Sequence, residues 1–470
     1  MFKNLNIFRP LLAILILFIP LYPKFPLTSV DGTYVAIRLD DIIVALTLII
    51  WGIYQIKNKF PVFKLKITKL FLVYFVAIII SFINAFLVYQ TDPTNILFLN
   101  LLRRFEYISV FFVAINAIKT NKDFKFAYIF LIISTLFVCF YGYGQKYLSF
   151  PVISTMNSEF SKGQLLQMNI WTRINSTFAG HYDLAAFLSV VLIIIAAIGL
   201  TSKNIFIKIS SLIIWLPAYQ ILTFTASRVS IFAFFGGICI TLILLKKYWW
   251  ILPIAGLVTF SIFNSKDLNQ RLLATIPALK TQISQIQKEV TPTPTIIPTP
   301  IPTVIPTGKI VSVKTTPIPT VIRHQSTEEY PPVDSDVGVA RSGEIRFNVE
   351  WPRAINAFKK NIFIGTGLGS ITLATDNDYL RSLGESGLFG FISFAAIIIF
   401  FIAKTIPLIF KKEKTKNDQI SIIFLGCLTA TLANAIFIDV FEASKTAYFF
   451  WITMGLYYQS LNLKDEKKQA

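Results

Sequence analysis

Histidine is almost missing from this chain: 470 residues hold only His181 and His324, too few imidazoles for a zinc centre. Cysteine is nearly as scarce, and Cys139, Cys239 and Cys427 all fall inside long apolar runs, where they indicate neither a disulfide framework nor a metal site. Charge is thin as well, 15% of residues against about 25% in soluble domains. Acidic side chains are the rarer sign, 25 against 44 Lys and Arg, which leaves a net charge of +19. A soluble globular domain is excluded by these shortages.

What fills the chain is hydrophobic: 54% of residues are apolar or aromatic, 44 are Phe, and the mean hydropathy is +0.63. About twelve segments approach or exceed the ~17–25 apolar residues that cross a bilayer: 9–24, 40–56, 69–89, 97–118, 125–145, 183–200, 206–224, 228–245, 248–264, 387–410, 420–438 and 443–462. Pro20 and Pro23 interrupt the first, and Asp40 and Asp41 open the second. The expected class is an all-α, polytopic membrane helical bundle. Lysine and arginine crowd into alternate short connections, among them 57–69, 119–125, 203–208, 246–247, 411–416 and 464–468. The positive-inside rule makes these cytoplasmic, and both termini with them. The excess of positive charge is therefore topological and does not call for nucleic acid. A short basic start precedes the first apolar run, but no small-x-small cleavage site follows before Lys24, so the first segment reads as a retained span.

Two connections on the other side are long, 146–182 and 265–386, giving an N-terminal bundle over 1–264, a loop domain over 265–386 and a C-terminal bundle over 387–470. Within the loop domain, Leu272, Ile276, Leu279, Ile283, Ile286 and Val290 predict an amphipathic helix over 271–290. Proline at every second to fourth position over 291–322 forbids helix and sheet and leaves an extended linker. A helix is predicted over 342–358, with Arg346, Glu350 and Ala354 on one face. Gly365, Gly367 and Gly369 then allow either a tight chain reversal or a nest of amides for an anion. They are no dinucleotide fingerprint, because no βαβ unit surrounds them.

Charged residues beside membrane helices mark working cavities. Arg228 follows Thr225 and Ser227 at the start of a span, where exposed N–H groups and the positive helix end favour a phosphate. A snorkelling interfacial arginine is the plainer alternative. Arg173 and Arg346, on the two long loops, complete a cationic clamp in the first reading. Arg103 and Arg104 either join it or pair with Glu106 inside the bundle. Asp376 is the first candidate for a general base and equally the cap of a helix predicted over 377–390; Glu385 and His181 are lesser candidates. Asp40, Asp41, Asp439, Glu442 and Lys445 read as interfacial residues or ion pairs.

Taken in order, Arg173…Ser176-Thr-Phe…His181-x-Asp-x-Ala185, Thr225-x-Ser-Arg228, Arg346-x4-Trp351…Gly365-x-Gly-x-Gly369 and Asp376-Asn-x-Tyr-Leu…Gly384-Glu385-x-Gly387-x2-Gly390 resemble the O-antigen ligase and O-antigen polymerase superfamily of membrane glycosyltransferases. The resemblance covers roughly 170–400. It implies a GT-C-like bundle with a large extracytoplasmic loop, acting without metal or cofactor on the outer face of the cytoplasmic membrane. The donor would be a polyprenyl-diphosphate-linked glycan and the acceptor a glycan or glycolipid, with membrane lipids and a chain-length regulator or flippase as partners. Asn377, Tyr379 and Ser227 fall at motif positions that would touch substrate. Ligases of the family place a histidine where Asp376 stands, so the likeness favours polymerisation over transfer to a lipid core. En bloc transfer to a lipid or protein acceptor, and a flippase or exporter, are the competing functions; spans clean of charge through their centres at 183–200, 228–245 and 387–403 weigh against transport.

Overall fold

The computed structural model describes residues 6–23, 25–29, 36–89, 94–154, 166–168, 173–264, 345–371 and 375–463. Among these, thirteen α-helices carry almost all the secondary structure: α1 Phe8–Leu21, α2 Leu39–Lys57, α3 Thr68–Asn84, α4 Thr94–Ala117, α5 Asn121–Tyr147, α6 His181–Thr201, α7 Ile205–Phe224, α8 Arg228–Leu244, α9 Ile251–Asn264, α10 Trp351–Lys360, α11 Asp378–Ile409, α12 Lys416–Asn434 and α13 Ser444–Asn462. Two short antiparallel hairpins, Pro26–Ser29 with Ala36–Arg38 and Val152–Ser154 with Leu166–Met168, complete the set.

A helix lies at each of the twelve apolar segments, and six of them (α2, α3, α5, α6, α7 and α11) are long and apolar enough to cross a membrane. Helices α1, α8 and α9 are apolar but shorter. Helices α4, α12 and α13 carry polar residues turned inward: Arg104 pairs with Glu442, Asn434 with Ser189 and Ser230, and Lys445 with the Pro20 and Thr177 carbonyls. Apolarity is demanded only of faces that meet lipid, so interior helices can afford these groups where partners satisfy them. Helices α6 and α13 form the centre, α6 against α7, α8, α12 and α13, and α13 against α4, α11 and α12. Outward, α11 shows Ile392, Ile399 and Ile406 at seven-residue spacing, 60%, 60% and 47% exposed, an apolar stripe suited to lipid.

One expectation needs correction, at the start of the C-terminal bundle. Residues 345–371 and 375–386, assigned by sequence to the loop domain, fall in the same compact unit as the bundle. The predicted helix over 271–290 and the proline-rich linker lie outside the described residues. The helix expected to start at 377 and the span expected from 387 are one element, α11, broken at Gly387 (φ 63, ψ −169), backbone angles that only glycine adopts without strain. The break frees two carbonyls and two N–H groups, and the reversal at 361–371 takes all four. Thr366 N–H donates to Gly384 O (3.0 Å) and Gly367 N–H to Glu385 O (2.8 Å). Leu388 N–H donates to Ile362 O (2.8 Å) and Phe389 N–H to Phe363 O (2.9 Å). Gly365, at φ 70, lets the two backbones touch at Glu385 and Gly387, while Gly367, at φ 105, packs against Ala85. The glycine run is thus a chain reversal docked on a broken helix, with the Thr366 and Gly367 amides spent on carbonyls.

Candidate functional site

Helices α6, α8 and α11 each follow a polar turn, at 173–180, 225–227 and 375–377, and each turn holds one non-glycine residue in the left-handed region. These are Ser176 (φ 49), Ala226 (φ 51) and Asp376 (φ 49). Such residues cost about 1–2 kcal/mol each and persist where neighbours over-determine them. Around Ser176, Gln145 accepts from the Asn175 and Ser176 N–H groups (3.2 and 2.8 Å), and Ser176 Oγ donates to Val138 O (2.7 Å). Past Ala226, Ser227 Oγ bonds Ser230 Oγ (3.0 Å), which reaches Asn434 Oδ1 (2.7 Å). At Asp376, the carboxylate of Asp439 accepts from both flanking amides, Thr375 N–H at 2.9 Å and Asn377 N–H at 3.3 Å.

The three turns bring three arginines to one place. Tyr182, in the first turn of α6, hydrogen-bonds the side chains of Arg173 and Arg346 and lies within electrostatic reach of Arg228. The Arg346 guanidinium also stands 5.7 Å from the Tyr182 ring centroid. Arg346 binds Asp376 through Nε (2.8 Å) and Nη2 (2.7 Å), both on Oδ2. Burial works against the Arg346 charge, yet Asp376 and Tyr182 outweigh it and hold the guanidinium above its ordinary value. Burial pushes the Asp376 carboxyl up, against the opposing pull of Arg346. Arg173 Nη1 donates to His181 Nε2 at 2.6 Å. A guanidinium only donates, so Nε2 carries no proton and that nitrogen is closed to any other while the bond stands.

Glu350 completes the cluster. One of its oxygens, Oε2, is buried with no hydrogen-bond partner among the described residues. Burial first, then the nearby Asp376 charge, push its carboxyl up to about 7.

A second ionic group adjoins the first. Arg381 lies 3.8 Å from Glu385 Oε1 and 3.8 Å from Asp439 Oδ2. Glu442 pairs with Arg104, whose Nη1 donates to Phe441 O (3.2 Å). Burial would raise the Glu442 carboxyl, but Arg104 and Arg381 prevail and hold it low. The Phe441 N–H donates to Asp378 (3.2 Å), and the Gly369 N–H bonds the Glu385 carboxylate.

Of the residues singled out from sequence, Arg173, Arg228, Arg346, His181 and Asp376 meet around Tyr182. Glu385 does not; it is 2% exposed at the helix break beside Arg381. Arg104 is held by Glu442, and the electrostatic neighbours of Arg103 are Tyr107, Asp41, Tyr448 and Glu106; neither is brought to the three arginines. The cap of α11 is Asn377, which accepts from Leu380 N–H (2.9 Å), and not Asp376. Tyr379 donates to Leu432 O (2.7 Å), and Ser227 is buried in its hydroxyl chain, so both are structural here. Asp439 and Glu442 stand in ion pairs, with Arg381 and Arg104, one of the two readings the sequence offered, and Asp439 also accepts the two motif amides. Tyr182 and Glu350 went unmarked as site residues. Charged neighbours in their motifs, His181 and Arg346, were the available signal. Among the described residues no group of three or more His, Cys, Asp or Glu side chains stands ready for a metal ion.

The cluster is thus a permanently cationic floor of three guanidiniums, one phenol hydroxyl and two carboxyls, suited to a phosphate-bearing anion with a proton acceptor alongside. Compared with models of known protein families and with curated proteins, the chain matches none.

Proposed function

We propose that the chain is a twelve-span membrane glycosyltransferase that moves a polyprenyl-diphosphate-linked oligosaccharide onto a sugar hydroxyl, in the manner of an O-antigen polymerase. The observation that carries this reading is the meeting of Arg173, Arg228 and Arg346 around Tyr182, with Asp376 and Glu350 beside them. In this reading the cluster faces the outer side and the lysine-rich connections the cytoplasm, which the positive-inside rule supports.

The acceptor oxygen forms its bond to the anomeric carbon as the bond from that carbon to the diphosphate breaks. The diphosphate leaves with the electron pair and goes out as polyprenyl diphosphate. Growing charge on the departing oxygen is met by fixed guanidiniums, which need no reorganisation at that moment. The acceptor proton passes to a carboxylate. Asp376 is committed to Arg346, so the role moves to Glu350, whose pKa near 7 matches a base working at neutral pH. Asp376 then positions Arg346.

The test is mass spectrometry of products after the reconstituted full-length protein is incubated with lipid-linked repeat units from its own host. A ladder spaced by one repeat, with release of polyprenyl diphosphate, supports polymerisation. Donor left unchanged in the presence of acceptor rejects it.

A further inference from the structure

Helices α6, α8 and α11 all start at the arginine cluster, and their far ends also converge. About 26–32 Å of helix separates the two places in α6 and α8, close to the ~30 Å of a hydrocarbon core. There the connections after α8 and after α11 meet the last residue of α6 and enclose a hollow of about 260 Å³ lined by Thr201, Lys246, Lys247, Lys412, Lys414 and Gln419. No acidic side chain lines it. Two acidic residues adjoin it in sequence: Glu413, between Lys412 and Lys414, stands outside the lining, and Asp418 is taken by Lys411 at 2.9 Å.

Lysines at helix C-termini ordinarily satisfy the last carbonyls. Lys414 does this, its Nζ donating to Ile409 O (3.2 Å) and Lys411 O (3.3 Å). The ammonium groups of Lys246, Lys247 and Lys412 form no hydrogen bond or ion pair with the described residues, although the three residues share one concavity. Lys246 also sits at φ 58, a post-helical position that glycine fills without strain, and that turn is closed by the Lys247 N–H on Leu242 O (2.7 Å). The adjoining surface is apolar: Phe410 is 81% exposed, Trp249 79% and Ile243 55%.

We propose that this hollow binds the phosphate headgroup of an anionic phospholipid, its acyl chains lying along Ile243 and Phe410. Unpartnered ammonium groups supply the anion's counter-charge, and the exposed apolar rim favours a lipid over a free phosphate. A helix with its side chains is about 10–12 Å across and does not fit a hollow of about 260 Å³. The inference rests on the membrane-spanning reading of α6, α8 and α11 and is independent of the glycosyltransferase proposal.

Full-length protein in vesicles of phosphatidylcholine with added phosphatidylglycerol, then extracted into detergent, tests it by native mass spectrometry of retained lipid. Wild type should retain phosphatidylglycerol in preference to phosphatidylcholine. With each lysine near an anionic headgroup contributing about 1 kcal/mol, a single Lys412→Gln change should weaken retention roughly 5-fold, and the Lys246→Gln/Lys247→Gln/Lys412→Gln protein roughly 100-fold. The Lys57→Gln/Lys59→Gln/Lys64→Gln protein loses the same charge elsewhere and should retain lipid like wild type, which separates the site from net charge. Three results would overturn the proposal: equal retention of both lipids, unchanged retention by the folded triple variant, or displacement by inorganic phosphate alone, which would assign the lysines to a soluble anion.

Discussion

Gly387→Ala probes the element on which the site is built. A Cβ on Gly387 would lie 2.5 Å from the Phe363 carbonyl carbon and 2.6 Å from the Gly365 nitrogen, backbone atoms of the docked reversal. At φ 63 and ψ −169 the alanine also carries strain of about 1–3 kcal/mol. To make room, the reversal must pull away and give up roughly half of the four backbone bonds across the break, about 0.5–1.5 kcal/mol each. The sum is about 2–6 kcal/mol, a large share of a typical 5–15 kcal/mol. At about 2 °C per kcal/mol for a chain of this size, Tm should fall by about 4–12 °C. Size-exclusion chromatography of heated, detergent-solubilised protein reads this directly. Gly256→Ala is the matched control, because nothing stands within 4 Å of a Cβ there and alanine in a helix should gain about 1 kcal/mol. A Gly387→Ala protein melting within about 2 °C of wild type, or a Gly256→Ala protein falling as far, would refute the argument.

Arg228→Ala should lower transfer by about 100-fold or more, as loss of one charge-stabilising donor does, while membrane levels of the protein stay unchanged by immunoblot; full activity would remove the clamp. Glu350→Gln should abolish the acid limb of the rate profile, since in wild type the rate falls below about pH 7 as the base takes up its proton. The same group bears on stability with a definite sign. Its folded pKa lies above the ordinary carboxylate value, so its contribution is fully present in acid and is lost as pH rises towards about 7; Glu350→Gln should melt higher than wild type at pH 8 and converge with it near pH 4, by the same thermal assay. Deleting 292–320 should leave transfer within about 2-fold in the product assay, because an extended proline-rich linker is a spacer and not a catalytic element.

The helices were legible because each apolar run is long and its ends are charged. Breaks were harder. Gly387 looked like the start of a span, since nothing local tells a glycine that begins an apolar stretch from one that breaks a helix already running. The same limit hid Asp439: its partners Thr375 and Asn377 stand more than sixty residues earlier, and only packing brings them to its carboxylate. The arginines could be named from sequence because a guanidinium beside an apolar helix demands an explanation. Tyr182 carries no such flag, and its role depends on Arg173 and Arg346 arriving from opposite sides of α6 in the chain. Asn377 and Ser227 have side chains that suit a ligand or a neighbouring backbone equally well, and here the backbone and a hydroxyl chain took them.

The Arg104–Glu442 pair joins residues 338 positions apart. A ribosome therefore completes α4 long before it makes the carboxylate that α4 requires. Through most of synthesis Arg104 lacks the carboxylate that pairs with it, and the packing of α4 is complete only once Glu442 has been made. The pair thus acts as a seal on completeness: a product truncated before residue 442 keeps the Arg104 guanidinium in its interior without its paired carboxylate, and a buried charge without its partner is costly.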